Sequence, residues 1–349
     1  MLEAGRCLCY GLNMPTQHDV ALLAGASQSS VSRYLQNPES VRAEVRDRIK
    51  AAIDQLGYEV DYSAQTLKTG MYHHLGVLSP SIGPFHWEIT YVVQKALSDA
   101  GYSTSQLYTR EVDTFEHSFR TQVPPFLRRR NLDGVLFFPL LCPEDDALIR
   151  QMASWGHPVV LLDRRFDKDE DRAGLPSLHF DNEWGGREAA RELLALGHRD
   201  FLFIWGARDS SAAHERFAGF RMALEEAGVE LGPDRQIDGG FQSSIAWAET
   251  HARFFSLPRF TAVFASNDSS ALGFLKAMED HGLHCPADYS LIGYDNNTEF
   301  SPFLVPPLTS FRQPLREFGR AAASLLLDLV EGRPATTDFP PFRPSLVRR

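Results

Sequence analysis

The chain has 349 residues, 43% of them hydrophobic and 23% charged, an ordinary composition for a globular protein of two or three domains. Lysines and arginines number 35 against 45 aspartates and glutamates, a net charge of −10, so a nucleic-acid partner has to be argued from a local motif and not from bulk charge. Four scattered cysteines (Cys7, Cys9, Cys142, Cys285) are too few for a disulfide framework; with no membrane-length apolar run and no signal-peptide core, a reducing cytoplasm is expected.

Residues 1–13 carry no structural pattern and are expected to be a disordered extension, or to precede the true start at Met14. From Thr16 the signals are helical. Thr16 and Asp19 have capping-box spacing, Val20, Leu23 and Ala24 supply an apolar side, and Gly25 ends the helix. Ser27 caps a second helix, Gln28 to Gln36, with Val31 and Leu35 inward, and Asn37-Pro38 stops it. A third helix starts near Ser40 and repeats apolar residues at Val41, Val45, Ile49, Ala52, Ile53 and Leu56 before Gly57.

The turn Ala24-Gly25-Ala26-Ser27 between the first two helices is of helix-turn-helix type. Gln28, Ser29, Ser32, Arg33 and Gln36 share one face of the second helix, opposite Val31 and Leu35. Gln28 and Ser29 can approach base edges, Arg33 can contact guanine in bidentate fashion, and Ser32 can hold phosphate. Thr16, at the start of the first helix, joins these candidate DNA contacts. A small helical bundle with a merely polar outer face would show the same pattern.

Asp61 to Gly70 is short and polar and reads as a linker. From His74 onward, strands alternate with amphipathic helices. The candidate strands are 74–79, 103–108, 133–139, 158–163, 177–181, 201–206, 261–266 and 290–295. Such alternation predicts parallel sheets with helices on both faces, and about 270 residues of it exceed one core, so two α/β lobes are expected. Ligands of open α/β sheets bind beyond the carboxyl ends of the strands. Here those ends carry Asp163, Asn267-Asp268 and Asp295, groups suited to hydroxyls, although each alone could be a helix cap. His281, His284 and Cys285 crowd one stretch and invite a metal reading. No Walker loop, dinucleotide-binding glycine fingerprint or nucleophile elbow occurs, so neither an enzyme nor a cofactor is expected.

The run DVALLAGASQSSVSRYLQNPESV, followed by RDRIKAAIDQLGY, closely resembles the headpiece of the lactose-repressor (LacI/GalR) family of bacterial transcription regulators. The similarity continues through LKTG, ALGHRDFLFI, RFAGFRMALEEAG, SNDSSALGFLKAM, CPADYSLIGYDN and PPLTSFRQPLREFGRAAASLLLDLVEG. The resemblance implies a helix-turn-helix headpiece over 14–60, a hinge over 61–72 and a two-lobed core like the periplasmic binding proteins, α/β with doubly wound parallel sheets. One lobe would comprise 73–175 and 305–334, the other 176–304 and 335–349. At His281, His284 and Cys285 the resemblance implies a loop before a strand and not a metal site. It further implies a homodimer that sets two headpieces in successive major grooves of a near-palindromic operator. A hinge helix would push a leucine, matching Leu67 beside Lys68, into the minor groove. In the hinge, Val60, Asp61 and Gln65 depart from the family's proline, asparagine and arginine. Residues 14–70 hold six Lys/Arg and seven Asp/Glu, a net of −1, so non-specific affinity is expected to be weak.

Family members clamp a small ligand between the lobes. Matching positions are Phe85, His86, Asp163, Arg164, Arg216, Phe241, Asn267 and Asp295, a set that takes hydrogen bonds from sugar hydroxyls while Phe241 covers an apolar ring face. A missing partner in such a site costs ~1–3 kcal/mol, which is how it discriminates among sugars. The implied function is a ligand-responsive repressor of a carbohydrate-use operon with a sugar-like effector. A purine-type co-repressed regulator is the alternative, since Phe85 and His86 could stack on a base. A sugar-binding receptor without a DNA role fits less well with the headpiece.

Overall fold

The computed structural model describes residues 15–58, 71–81, 83–109, 132–337 and 339–349, and the chain divides into two compact units, 1–72 and 73–349. In the first unit, α1 (Gln17–Ala24) starts at a capping box: the Thr16 hydroxyl accepts from the Asp19 amide at 3.3 Å, and Asp19 accepts from the Thr16 amide at 2.8 Å. Gly25 ends it in the left-handed region at φ +57°, where a side chain would be strained. Ser27 caps α2 (Gln28–Gln36) by accepting from Ser30 N at 3.1 Å. The third helix, α3 (Ala43–Leu56), begins three residues later than expected, because Asn37 and Pro38 first close a short 3-10 turn over Pro38–Ser40.

Val20, Ala21, Ala24, Val31, Ile49, Ala52 and Tyr58 form the headpiece core. Leu23, expected inside, is 45% exposed, and Ala21, on the face that meets the other helices, takes the inward place.

Among its described residues the second unit holds two sheets. The first has the order β2 (Ser103–Tyr108), β1 (His74–Ser79), β3 (Gly134–Phe137), β4 (Val159–Leu162), β5 (Ser177–Leu178), all parallel. The second has the order β11 (Ser345–Val347), β10 (Thr309–Arg312), β9 (Ser290–Asp295), β8 (Ala262–Ala265), β6 (Phe201–Trp205), β7 (Gln236–Asp238); only β11 is antiparallel to its neighbour. In β6 the strand period of two is plain: Phe201, Phe203 and Trp205 enter one core cluster, Leu202 and Ile204 the other. A strand buried on both faces reads as an unbroken apolar run, and FLFIW is such a run.

Two segments fall on the other side of the expected lobe boundaries. β5 (177–178) pairs with β4 and belongs to the first sheet, while β10 (309–312) pairs with β9 and belongs to the second. Main-chain pairing, not position along the chain, decides membership. The chain therefore crosses between lobes near 179–181, at 313–314 and again before β11, and the helix Leu315–Val330 packs on Pro84–Asp99 and the first sheet. At the crossings Phe180 bridges to Phe342 and stacks on Phe318 at 4.3 Å.

Candidate functional site

On the headpiece, Gln28, Ser29 and Arg33 are exposed on one face of α2 and Ser32 is half-buried. The Arg33 Nε donates to the Ser29 carbonyl at 3.4 Å, and the Ser29 hydroxyl meets that of Ser27 at 2.9 Å. These contacts are local and exposed. Thr16 is exposed too, and its hydroxyl donates to Asp19 Oδ2 at 2.7 Å while accepting the capping bond. Leu67 and Lys68 lie outside the described residues, as does the side chain of Gln36.

In the core, a cleft of about 870 Å³ opens between the two sheets at the carboxyl ends of their strands. Phe85, His86, Asp163, Arg216, Phe241, Asn267 and Asp295 all line it. Each is delivered by local geometry. Asp163 follows β4, Asp295 ends β9, and Asn267 precedes the helix Asp268–Asp280, which it caps by accepting from Ser270 N at 2.8 Å. Asn267 Nδ2 also donates to the Phe241 carbonyl at 3.3 Å, fixing the loop that carries the Phe241 ring. Among the described residues, six non-glycine residues have positive φ, and Asp163, Phe241, Asp295 and Asn296, four of them, line this cleft. Strain of this kind, of order 1–3 kcal/mol each, persists where the surroundings over-determine a site.

Arg216 is the organising cation. It sits on the helix Ser211–Glu226, which crosses Asn182–Ala195 so closely that a Cβ on Gly186 would lie 2.0 Å from the Arg216 carbonyl, and one on Gly219 1.9 Å from that of Glu183. The crossing lets Arg216 Nε donate to Asn182 Oδ1 at 3.0 Å. Its Nη1 donates to the Ser266 carbonyl at 2.6 Å and lies 3.7 Å from Asp295 Oδ1. The guanidinium lies over the Tyr294 ring at 3.7 Å. Asp295 Oδ1 in turn accepts from Gln313 Nε2 at 2.9 Å.

Burial dominates the electrostatics. It pushes Asp163 and Asp295 up to about 7 against the opposing pull of Arg216. Glu215 rises to about 8, driven by burial and by the neighbouring Asp163. Burial also lowers His86 to about 4, so its ring is neutral, and its Nδ1 meets the Ser81 hydroxyl at 2.9 Å. Asp163 Oδ1 is buried without a protein hydrogen bond, an acceptor that a ligand hydroxyl would satisfy. Asp268 is different: it accepts from Ser301 and Ser310 hydroxyls, each at 2.6 Å, and from Asn297 N at 2.7 Å, and so ties down the loop after β9.

Arg164 does not reach the cleft. Its Nη1 donates to the Leu140 carbonyl at 2.8 Å and pairs with Asp146 at 2.7 Å inside its own lobe. The positive φ of Asp163 turns the chain, so the adjacent residues point different ways. Sequence reasoning missed Asn182, Gln313, Tyr294, Glu215 and the structural role of Asp268. Only the carboxylate of Asp268, beside Asn267 at a strand end, offered a signal.

Residues 16–61 match the family model described as bacterial regulatory proteins, lacI family, and residues 190–349 match a periplasmic binding protein-like domain. The ribose operon repressor of Escherichia coli (strain K12) is 32% identical over 319 residues, covering 90% of this chain and 92% of that protein. The HTH-type transcriptional repressor PurR of Photobacterium profundum is 29% identical over 344 residues, 96% and 98% of the two chains. A lac repressor dimer solved with operator and the anti-inducer ONPF has 27% identity and a TM-score of 0.79, covering 96% of this chain and 98% of that one. A transcriptional regulator CelR–cellobiose complex gives 28% and 0.71, with 96% and 99% covered.

Proposed function

The chain belongs to the lacI family of bacterial regulatory proteins, which are DNA-binding transcriptional regulators and not enzymes, and from that premise we propose that it is a repressor whose operator affinity is set by a small polyhydroxylated effector, a sugar or sugar derivative. It acts as a homodimer on a near-palindromic operator in the cytoplasm; among the described residues no helix is long and apolar enough to cross a membrane.

Arg33 reads guanine from the major groove, with Gln28 and Ser29 beside it on base edges and Ser32 on phosphate. In the core, the effector bridges Asp163 of one lobe to Arg216, Asn267 and Asp295 of the other, under Phe241 and against Phe85 and His86. A ligand that bonds both lobes favours their closed arrangement. Operator affinity then changes by the coupling free energy between the two sites, typically 1–3 kcal/mol.

What supports this most directly is the convergence of Asp163, Arg216, Asn267 and Asp295 on one cleft, with a buried carboxylate oxygen of Asp163 lacking a protein partner. A thermal-shift screen of sugars, polyols, sugar phosphates and purines tests it, since a ligand at ~100 times its Kd adds ~2.7 kcal/mol. A sugar that raises Tm and then shifts operator binding in fluorescence anisotropy is the expected result. A response to purines alone would replace this reading with a purine-type regulator.

A further inference from the structure

The cleft wall carries far more acid than base. Among the described residues it includes, besides Asp163, Asp268 and Asp295, also Glu88, Asp209, Asp238 and Glu299, seven carboxyl groups against two guanidiniums, Arg208 and Arg216. Four helices start at this wall, at Pro84, Ser211, Ser243 and Asp268. Their aligned peptide dipoles count for roughly half a positive charge each, about two charges together, which leaves the excess of acid in place. His86 is held neutral by burial and adds none.

Both guanidiniums already serve partners in the wall. Arg216 is committed to Asn182, the Ser266 carbonyl, the Tyr294 ring and Asp295. Arg208 lies 3.9 Å over the Trp205 ring and 3.8 Å from Asp238. The unmet need in the cleft is for a donor, because Asp163 Oδ1 is buried without one. A hydroxyl or an ammonium supplies that donor; a phosphate dianion supplies only acceptors. A cleft lined by one sign of charge also focuses its field and repels like charge at a distance.

Resting on the polyol-effector reading above, we infer that the cleft admits its ligand only in a form without an anionic group: the free sugar or its amino derivative binds, and the phosphate ester of the same sugar is rejected. The buried carboxyls reinforce the exclusion. Asp163 and Asp295 already face desolvation, Asp295 lies near Asp268 and Asp163, Glu215 lies near Asp163, and Arg216 is a countercharge to all three of Asp163, Asp295 and Glu215.

Isothermal titration of the full chain at pH 8 tests this. The probes are D-ribose, D-glucose, D-galactose and cellobiose, the phosphates D-ribose 5-phosphate, D-glucose 6-phosphate and D-galactose 6-phosphate, and the amines D-glucosamine and D-galactosamine. The expected result is a phosphate at least 100-fold weaker than its parent sugar. In an Asp238→Asn, Glu299→Gln double variant, which removes two wall charges and releases Arg208, that penalty shrinks at least tenfold. A phosphate within tenfold of its parent overturns the inference while leaving the polyol reading intact. An unchanged penalty in the double variant shows steric exclusion and also overturns it. Absence of binding by every free and amino sugar overturns the polyol reading itself, and this inference with it.

Discussion

Replacing Asp163 by asparagine tests whether the cleft carboxyls are governed by burial. The side chain keeps its shape but can no longer ionise. Burial raises Asp163 from 3.8 to about 7, so over the pH range between these values the folded state holds a proton that the unfolded chain has released. Stability therefore falls with rising pH, by ~1.4 kcal/mol per unit for one group, from the unfolded value until the folded group ionises. Between pH 5 and pH 8 this group costs the wild type about 2–3 kcal/mol that the asparagine variant does not lose. The pull of Arg216 is already contained in the raised value. Urea unfolding at pH 5, 6, 7 and 8 measures the difference, followed by tryptophan fluorescence, because all five tryptophans (87, 155, 184, 205, 247) lie in the core unit. The variant should gain on the wild type steadily up to pH 7 and then level off. A difference that stays constant across this range would mean Asp163 is ionised throughout, held by Arg216, and would refute the argument from burial.

Arg33→Ala should cost about 1–3 kcal/mol per lost bidentate base contact, hence about 2–6 over the two half-sites of a dimer, and abolish specific operator binding in anisotropy titrations while effector affinity is unchanged. Loss of both activities would make Arg33 a structural residue. Asp295→Ala should keep operator affinity and lose the effector response, and a retained response would remove Asp295 from the effector site. Gly219→Ala places a Cβ 1.9 Å from the Glu183 carbonyl, so the two helices must part; a loss of ~3 kcal/mol in urea unfolding is expected, and an unaltered midpoint would show that the crossing is slack.

The local features were legible because their physics is local. The capping box at Thr16 and Asp19, the left-handed stops at Gly25 and Gly57, and the FLFIW run each depend on residues within a few positions of one another. Strand ends carrying Asp163, Asn267 and Asp295 could be read in the same way, since a parallel sheet puts such ends on one side. Three short strands gave too little pattern to find: Gln236–Asp238 and Ser345–Val347 have three residues each, and Thr309–Arg312 has four.

By itself, then, the sequence determined that three capped helices precede an alternating α/β core, and that polar groups gather at its strand ends. Only the tertiary structure decided what those groups meet. Arg216 takes its partners from Asn182 and the Ser266 carbonyl, 34 and 50 residues away, and Asp295 takes Gln313 from 18 residues away, across a crossing between lobes. It also turned Arg164 inward to Asp146 and left Asp163 buried with an open oxygen. Helix caps and strand periods are set by bonds to near neighbours along the chain. The charge balance of a cleft is set by desolvation and by whichever distant groups the packed helices bring within reach, and no run of residues records that.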